Sequence, residues 1–309
     1  MPQQSISRPR FRNKVPVLVL LAACGCTSST SRVEQRSADS VVLTDAIGRQ
    51  VNLPRRPARI VSLAPSVTEV LFLVGAGGRV VGVTVHCDWP EEVRKLPKIG
   101  DLLNPSAELI LEARPDLVVA STAGNDRTAV LKLADLGLPV FVTAPRSVAT
   151  IFDTVEQIGR VTGCEDRAAE LVARMMERLD SLDRRLAGTK PVRAFYITWF
   201  EPLLAPGKGT FENDVLRHAG VESISAAIPE FYPRYSLEQV IASDPDVILA
   251  VRHEGNPLPD LRALPGWREL RAVRTNRVIV VGEVFQHPSP RFLDALEELA
   301  GKLHPELFQ

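Results

Sequence analysis

The sequence predicts an α/β protein with two Rossmann-like lobes, each with a central, mostly parallel sheet, joined by one long rigid α-helix. Three observations predict this fold class. Short apolar runs alternate with helical patterns over residues 59–142, and a similar series restarts at residue 192. Between the two series lie 23 residues of uninterrupted helical periodicity. Alternating strands and helices are typical of α/β folds with parallel strands.

Residues 1–23 have the pattern of a signal peptide. The first 14 residues carry four basic side chains and no acidic one, and the apolar run VPVLVLLAA follows. This run is shorter than the roughly 20 apolar residues that a membrane-spanning helix needs. The tetrapeptide LAAC at residues 21–24 matches the lipobox of bacterial lipoproteins, so we expect Cys24 to be acylated and to become the mature N-terminus. The basic leader argues against the alternative, a buried helix with an ordinary cysteine.

Residues 24–40 are predicted to form a flexible tether. They are rich in Ser and Thr and show no hydrophobic period. We therefore expect the rest of the chain to work outside the cytoplasm, in the periplasm or at the cell surface, anchored to a bacterial membrane by the lipid on Cys24.

The N-terminal lobe is predicted to span residues 41–163 and to start with a β-hairpin. Residues 41–53 (VVLTDAIGRQVNL) contain two strand-like runs on either side of a turn. The elements expected after it are strand 59–63, helix 67–75, strand 80–84, helix 106–113, strand 117–120, helix 126–136 and strand 140–142.

The connecting helix is predicted within residues 164–190. Residues 165–187 contain no Gly or Pro, and apolar side chains recur at helical spacing at Leu171, Met175, Leu179, Leu182 and Leu186. At 1.5 Å per residue this helix is about 35 Å long. We expect it to act as a spacer and not as a hinge, so that the lobes move little when a ligand binds.

An internal repeat relates the first lobe to the second, which is predicted over residues 191–309. Residues 106–120 (SAELILEARPDLVVA) align without a gap with residues 236–250 (SLEQVIASDPDVILA), and five of the fifteen pairs are identical. Each copy starts with a Ser at a helix N-cap position and has a Glu two residues later. General α/β patterning can explain why both copies end in Pro-Asp and an apolar run. It explains the shared Ser-x-Glu start less well, so we interpret the lobes as products of a duplication.

The repeat places Glu108 and Glu238 at matching positions near helix N-termini. One interpretation is that each carboxylate only complements its helix dipole, which contributes about 0.3–1 kcal/mol. The other is that two exposed acidic residues, related by pseudo-symmetry, bind Arg residues of a partner that is itself two-fold symmetric. The two residues alone leave both interpretations open.

Aromatic and titratable side chains gather in loops near predicted strand ends, although aromatic residues make up only 6% of the chain. Ligands of α/β lobes bind outside the carboxyl ends of the strands. The set therefore predicts a broad, flat, partly apolar ligand held between two lobes, although any single ring could belong to the scaffold. The candidate ligand-binding residues are His86, Asp88, Trp89, Trp199, Phe200, Tyr232, Glu283 and His287.

Composition and motifs give little support to several other functions. Lys+Arg and Asp+Glu both number 37, so no net charge favours nucleic acid as a partner. No GxSxG, HExxH or Walker motif occurs. Apart from Cys24 the chain has Cys26, Cys87 and Cys164, whose spacing matches no zinc site. A disulfide between Cys87 and Cys164 and a pair of unpaired small core residues both remain open.

Five segments together resemble the helical-backbone, or class III, periplasmic binding proteins of ABC importers for cobalamin, ferric siderophores and haem. They are RIVSLAPSVTEVLFLVGAGGRVVGVT (59–84), HCDWP (86–90), KIGDLLNPSAELILEARPDLVVA (98–120), YPRYSLEQVIASDPDVILA (232–250) and FQHPSPR (285–291). The resemblance covers about residues 59–299 and is closest to the cobalamin-binding members.

This resemblance implies roles for single residues. In cobalamin binders a loop aromatic ahead of an Asp-aromatic-Pro triplet lines the cleft, and His86 takes its place here. Tyr232 corresponds to an aromatic residue of the second lobe, and the loop ahead of Ser-Pro-Arg places Glu283 and His287 beside the ligand.

The resemblance also implies a permease contact. Family members use one Glu per lobe to bind Arg residues of the permease dimer, a role that falls on Glu108 and Glu238. Two tryptophans that cobalamin binders can carry are replaced by Leu102 and Ser121, which predicts weaker stacking on the ligand.

The resulting hypothesis is a monomeric solute-binding lipoprotein that captures cobalamin or a related corrinoid and delivers it to an ABC import permease. It needs no cofactor, no metal and no nucleic acid, and it makes or breaks no bond. A ferric siderophore or haem is the alternative ligand, with Arg234, Tyr235 and Arg252 available to hold an anionic chelate.

A function of another class is a metal-dependent hydrolase. It would use His86, Asp88 and His287. This hypothesis predicts turnover and a bound metal, whereas the carrier hypotheses predict a stoichiometric ligand.

Overall fold

A computed structural model describes residues 40–251 and 258–308. The predicted signal peptide, Cys24 and the tether up to residue 39 lie outside the described residues, and so do Cys26 and Arg252. Ser40, predicted as the last tether residue, already belongs to the first strand. In the described part of the chain, no helix combines the length and apolar character needed to cross a membrane.

The leading hairpin is confirmed: β1 (Ser40–Thr44) pairs antiparallel with β2 (Gln50–Pro54). The buried carboxylate of Asp45 organises its turn, since it accepts the backbone N–H of Arg49 at 2.9 Å and binds the Arg49 guanidinium at 2.7 Å. The same guanidinium donates to the carbonyl of Val140 at 3.0 Å. This bond fixes the hairpin against the N-terminal lobe.

The N-terminal lobe has a four-stranded parallel sheet. Its strands are β3 (Ile60–Ser62), β4 (Val80–Val83), β5 (Leu117–Ser121) and β6 (Val140–Thr143), in the order β4-β3-β5-β6. Its first three helices are α1 (Pro65–Leu73), α2 (Ala107–Glu112) and α3 (Arg127–Asp135). Successive residues of β5 face different cores, Leu117 and Val119 one, Val118 and Ala120 the other. This pattern is typical of a parallel sheet covered on both faces.

Helix α4 (Val148–Thr162) is an element that the sequence pattern did not predict. Its many β-branched residues and an internal glycine lower helix propensity. A capping box between Ser147 and Thr150 starts the helix, and tertiary packing retains it. A Cβ atom on Gly159 would lie 2.5 Å from that of Ala168, so the glycine permits close contact with the next helix.

Helix α5 (Glu165–Leu186) confirms the predicted connecting helix, and all five predicted apolar positions are buried. It packs along α4. Arg178 on its exposed face binds Asp294 and Glu297 near the C-terminus, each at 2.8 Å. One continuous core contains α5 together with side chains of both lobes, such as Phe141 and Tyr196. The helix is therefore a shared core element and not a bare spacer, while the boundaries at residues 163/164 and 190/191 remain predictions.

The C-terminal lobe repeats the topology of the first. Its strands are β7 (Val192–Ile197), β8 (Val221–Ser223), β9 (Val247–Val251) and β10 (Val278–Val281), all parallel in the order β10-β9-β7-β8. Its helices are α6 (Phe211–His218), α7 (Leu237–Ser243), α8 (Arg271–Arg274) and α9 (Phe292–Leu303). In each sheet the first strand lies between the second and third strands of its lobe, so the predicted two-lobed α/β fold class is confirmed.

The two copies of the sequence repeat occupy equivalent places. Residues 106–120 form α2 and most of β5, and residues 236–250 form α7 and most of β9. Ser106 and Ser236 cap the two helices, accepting backbone N–H groups at 3.4 and 3.3 Å. The structural equivalence supports the duplication.

Cys87 and Cys164 are unpaired. The buried Cys87 thiol is hydrogen-bonded to Thr68 at 3.2 Å, and burial raises its pKa. The sulfur of Cys164 accepts a hydrogen bond from Arg79 at 3.1 Å. Of the two options left open by the sequence, the structure shows free thiols.

Candidate ligand-binding cleft

A cavity of about 330 Å³ is lined by both lobes near the carboxyl ends of their strands. The N-terminal wall contains Thr122 and Ala123, which follow β5, and Arg146, which follows β6. The C-terminal wall contains the start of α6 together with Phe231 and Tyr232, which precede α7. This is the position at which α/β lobes bind ligands.

The start of α6 is fixed by a hydrogen-bonded loop. The Thr210 hydroxyl accepts the backbone N–H of Asn213 at 3.5 Å. The Asn213 side-chain amide donates to the carbonyls of Pro206 and Gly207, both at 2.7 Å. In the first turn that follows, Glu212 lines the cavity yet is only 3% exposed.

Glu212 and Tyr232 form a hydrogen-bonded pair on this wall. The Tyr232 hydroxyl donates to Oε1 of Glu212 at 3.0 Å. Burial raises the pKa of Glu212, because a poorly solvated site disfavours its charged form. Burial, together with Glu212, also raises the pKa of Tyr232 and that of the fully buried Tyr196 in β7. The Glu212 carboxyl and the hydroxyls of Tyr232 and Tyr196 therefore favour their uncharged forms.

Three aromatic rings are exposed on the same side of the C-terminal lobe. Phe231 is 54% exposed, Tyr232 47% and Trp199 37%. The Trp199 indole donates to the carbonyl of Glu201 at 2.9 Å, which orients the ring. Leu204 bridges the Trp199 loop to the segment that follows Tyr232, so the rings belong to one connected loop region.

Phe200, also predicted to contact the ligand, points elsewhere. Its ring packs on the buried Trp267 with centroids 5.6 Å apart. Both residues belong to the second core of the C-terminal lobe. Phe200 is therefore half-buried against the core of the C-terminal lobe and outside the lining of the cavity, and its ligand-binding role remains a prediction.

The predicted N-terminal site residues lie in the loop after β4. His86 is within 3.0 Å of Asp101, and both side chains are about half exposed at 49%. The backbone N–H of Leu103 and then His86 lower the pKa of Asp101, since both stabilise the carboxylate. Asp88 is exposed, and the half-buried Trp89 ring lies under the Arg291 guanidinium, 4.8 Å from its centroid.

A buried polar cluster joins α1 to the segment ahead of α9. Glu69 is 2% exposed and accepts a hydrogen bond from the Ser289 hydroxyl. Arg291 binds the other oxygen of Glu69 at 3.3 Å, and Nδ1 of His287 lies 3.9 Å from it. His287 thus faces Glu69, whereas Glu283 is exposed in a 3₁₀ turn at residues 283–286.

The structure brings only part of the predicted site to the cavity. Tyr232 lies on its wall, and His287 is flanked by Gln286 and Pro288, which line it. Trp199 lies in an adjoining loop. The ligand-binding roles of His86, Asp88, Trp89, Trp199, Tyr232, Glu283 and His287 remain predictions.

Sequence reasoning missed Arg146 and Glu212 of the cavity wall, Glu69 of the buried cluster and Tyr196, which interacts with Glu212. Threonine at residue 210, three residues before Asn213, signals a helix start near Glu212. A glutamate at such a position is usually an exposed dipole contact. Here Glu212 is buried and bonded to Tyr232, which lies 20 residues away, and no local pattern links the two residues.

The predicted docking residues occupy equivalent surface positions. Glu108 and Glu238 are both exposed in the first turn of their helices. A backbone N–H and Ser236 lower the pKa of Glu238, which keeps it charged. Three residues after each glutamate, Leu111 and Ile241 are each 43% exposed. Whether a permease binds these surfaces remains a prediction.

Comparison with known proteins identifies relatives over most of the chain. A family model described as periplasmic binding protein matches residues 60–284. The Bacillus subtilis protein YvrC, named an uncharacterized ABC transporter substrate-binding lipoprotein, is 30% identical over 302 residues, which cover 94% of this chain and 95% of YvrC.

Two solved structures share the fold. The periplasmic vitamin B12-binding protein BtuF of Vibrio cholerae is 28% identical with a TM-score of 0.73, covering 83% of this chain and 100% of BtuF. The periplasmic heme-binding protein RhuT of Roseiflexus sp. RS-1 is 25% identical with a TM-score of 0.72, covering 81% of this chain and 98% of RhuT.

Proposed function

This chain belongs to the periplasmic binding protein family, and we propose that it captures cobalamin or a related corrinoid between its two lobes and delivers it to an ABC import permease. One observation supports the choice of ligand. Exposed aromatic rings lie on the same wall of the cavity as a buried carboxyl group, whose raised pKa favours the uncharged form. A corrinoid is a broad ring system with amide side chains, so it suits such a wall. The likeness to BtuF supports the same ligand.

The proposed mechanism is capture and delivery, with no bond made or broken. The shared core around α5 connects the two lobes through packed side chains. Because close-packed interiors resist deformation, we expect the lobes to shift little when the ligand enters.

The proposal includes a lipid anchor at Cys24 and a location outside the cytoplasm. The leader and lipobox pattern support it, as does the name of the relative YvrC. In a bacterial host fed a labelled fatty acid, the full chain should carry the label and sediment with membranes. Cys24→Ala should abolish the label, whereas Cys26→Ala should retain it. A label that persists in Cys24→Ala would contradict this part of the proposal.

Docking on a permease dimer through Glu108 and Glu238 is the third part. Their equivalent, exposed positions support two-fold symmetric recognition. The double variant E108K/E238K should abolish uptake while leaving ligand affinity within about twofold. E170K/E177K, which reverses two exposed acidic residues on α5, is the matched control. Unchanged uptake by E108K/E238K would show that the two glutamates only complement the dipoles of their helices.

Haem is the second candidate ligand, favoured by the likeness to RhuT and by Arg146 on the cavity wall. Arg146 could bind an anionic group. For a ferric siderophore, Arg234 is exposed, but the Tyr235 hydroxyl already donates to the carbonyl of Ile224 at 3.3 Å.

The hydrolase hypothesis has less support. Among residues 40–251 and 258–308, no group of three or more His, Cys, Asp or Glu side chains is placed to hold a metal ion. His86 pairs with Asp101, and His287 faces Glu69. The relatives reported above are named as binding proteins, and we propose that this chain is likewise no enzyme.

The decisive experiment is calorimetric titration of the soluble chain lacking residues 1–24 with cyanocobalamin, haemin and a ferric siderophore. We expect cyanocobalamin to bind with one-to-one stoichiometry and a Kd below about 10 µM, or a free energy near −7 kcal/mol or better. If cyanocobalamin does not bind while haemin or the siderophore binds tightly, the corrinoid proposal is wrong and the ligand that binds takes its place.

A further inference from the structure

Glu212 is a buried acid at the cavity whose hydrogen bonding is incomplete. Its Oε1 accepts from the Tyr232 hydroxyl at 3.0 Å. Its Oε2 is buried and has no hydrogen-bond partner within the described part of the chain. The residue lines the cavity between the lobes. A buried polar atom without a partner is costly, so a structure that keeps one at a cavity indicates a ligand contact.

The surroundings of Glu212 decide which oxygen carries a proton. Burial raises its pKa and so favours the uncharged carboxyl. Since Oε1 already accepts from Tyr232, the proton of an uncharged Glu212 belongs on Oε2. Oε2 is then a hydrogen-bond donor in need of an acceptor.

The titratable groups that face Glu212 do not supply an opposite charge. Tyr232, ahead of α7, is its donor, and Tyr196 of β7 interacts with it from the fully buried sheet. Arg146 belongs to the N-terminal wall and is exposed. Ionisation of Glu212 would therefore leave a negative charge in a poorly solvated wall.

We propose that Glu212 binds the ligand directly, by donating a hydrogen bond from Oε2 to an uncharged amide carbonyl. This inference rests on the proposed function, because corrinoids carry amide side chains around the ring. It also gives a basis for specificity. A ligand carboxylate at the same place would lose its hydration in this poorly solvated wall, whereas an uncharged amide would not, so the site favours amide-bearing ligands over anionic ones.

Calorimetric titration with cyanocobalamin at about pH 5 and about pH 8 tests the inference. Wild-type affinity should fall as pH rises through the raised pKa of Glu212, since the ionised carboxylate has no proton to donate. E212A should bind at least about tenfold more weakly at pH 5, because the donor is lost. E212Q keeps an acceptor for Tyr232 and a donor for the ligand, so it should retain affinity within about threefold and lose the pH dependence.

If the role of Glu212 were purely structural, its substitution would lower thermal stability, and ligand addition would not shift a carboxyl band in the wild type. The matched control is E222Q, an exposed glutamate on β8, which should behave as the wild type. Infrared difference spectra on ligand addition should show a shifted protonated-carboxyl band in the wild type and none in E212Q. Thermal unfolding of each variant separates misfolding from lost contact.

The outcomes separate this inference from the proposed function. If the wild type does not bind cyanocobalamin, both fail together. If the wild type binds but E212A binds equally well, or E212Q keeps the pH dependence, only the role of Glu212 is overturned.

Discussion

Two acidic residues, one in each lobe, lie in opposite environments. In the N-terminal lobe, Asp101 is solvated, paired with His86, and has a lowered pKa. In the C-terminal lobe, Glu212 is buried, bonded to Tyr232, and has a raised pKa. The sheets share one strand order, so the difference arises in the segments that connect and follow the strands. The shared scaffold therefore does not fix the environment of a carboxyl group, which depends on the side chains packed around it.

The cluster at Glu69 should show the largest effect, because it sets a buried carboxylate of the N-terminal lobe against a Ser and an Arg of the C-terminal lobe. Glu69→Ala leaves Arg291 without its carboxylate and Ser289 without its acceptor. We expect the free energy of unfolding to fall by about 3 kcal/mol, measured by urea denaturation. Glu298→Ala, which breaks an exposed pair with Lys302, should cost less than about 1 kcal/mol. Equal losses of unfolding free energy would show that the buried cluster stabilises the fold no more than an exposed ion pair does.

The contact between α4 and α5 should rank second. Gly159→Val places side-chain atoms where a Cβ already lies 2.5 Å from that of Ala168. We expect a loss of about 2 kcal/mol from overpacking, measured by thermal and urea unfolding. Gly78→Val is the control, since a Cβ there meets no atom within 4 Å. A harmless Gly159→Val would mean that the two helices can separate without cost.

The two N-caps of the repeat allow a matched comparison of the lobes. Ser236 forms a full capping box with Gln239, whereas Ser106 accepts a single N–H of Leu109 at 3.4 Å. Ser236→Ala should therefore cost about 1 kcal/mol and Ser106→Ala about half as much. Urea unfolding of both variants measures the difference. The reverse order would show that the capping hydrogen bonds do not determine which of the two helices loses more stability.

The smallest effect concerns the titration of Asp101. Its pKa is lowered first by the Leu103 N–H and only then by His86, so His86→Ala should raise it slightly and leave it below its usual value. The stabilisation from this group is present above the unfolded-state pKa and is lost as pH falls through the folded-state pKa. NMR titration of the side-chain carboxyl measures the shift. His218→Ala, which removes a distant partner of Asp183, should leave Asp101 unchanged.

Local patterns were sufficient for most of the scaffold. The alternation of strands and helices, the repeat and the apolar spacing of α5 each depend on residues close in sequence, and each is found in the structure. Helix α4 escaped prediction because its β-branched residues and Gly159 lower its intrinsic propensity. Its stability comes from packing on α5, to which sequence pattern is blind.

The residues of the site, by contrast, could not be assigned from local patterns alone. Loop aromatics could be recognised from composition, but Phe200 turned into the core and Tyr232 onto the cavity wall, although both follow the same kind of pattern. Glu212 had no distinguishing local signal. Its proposed role depends on the hydroxyl of a residue 20 positions away and on the burial of its carboxyl group.

The sequence by itself determined the family, the two-lobed α/β architecture and the connecting helix, because these depend on periodicity and short motifs, and the lipid anchor at Cys24 remains a prediction from the same kind of motif. Only the tertiary structure decided which side chains meet at the cleft, that α5 belongs to a core shared by both lobes, and that Glu69 and Glu212 are buried. The physical reason is that solvation and hydrogen-bond partnership are set by residues distant in the chain, which come together only when the sheets and loops pack.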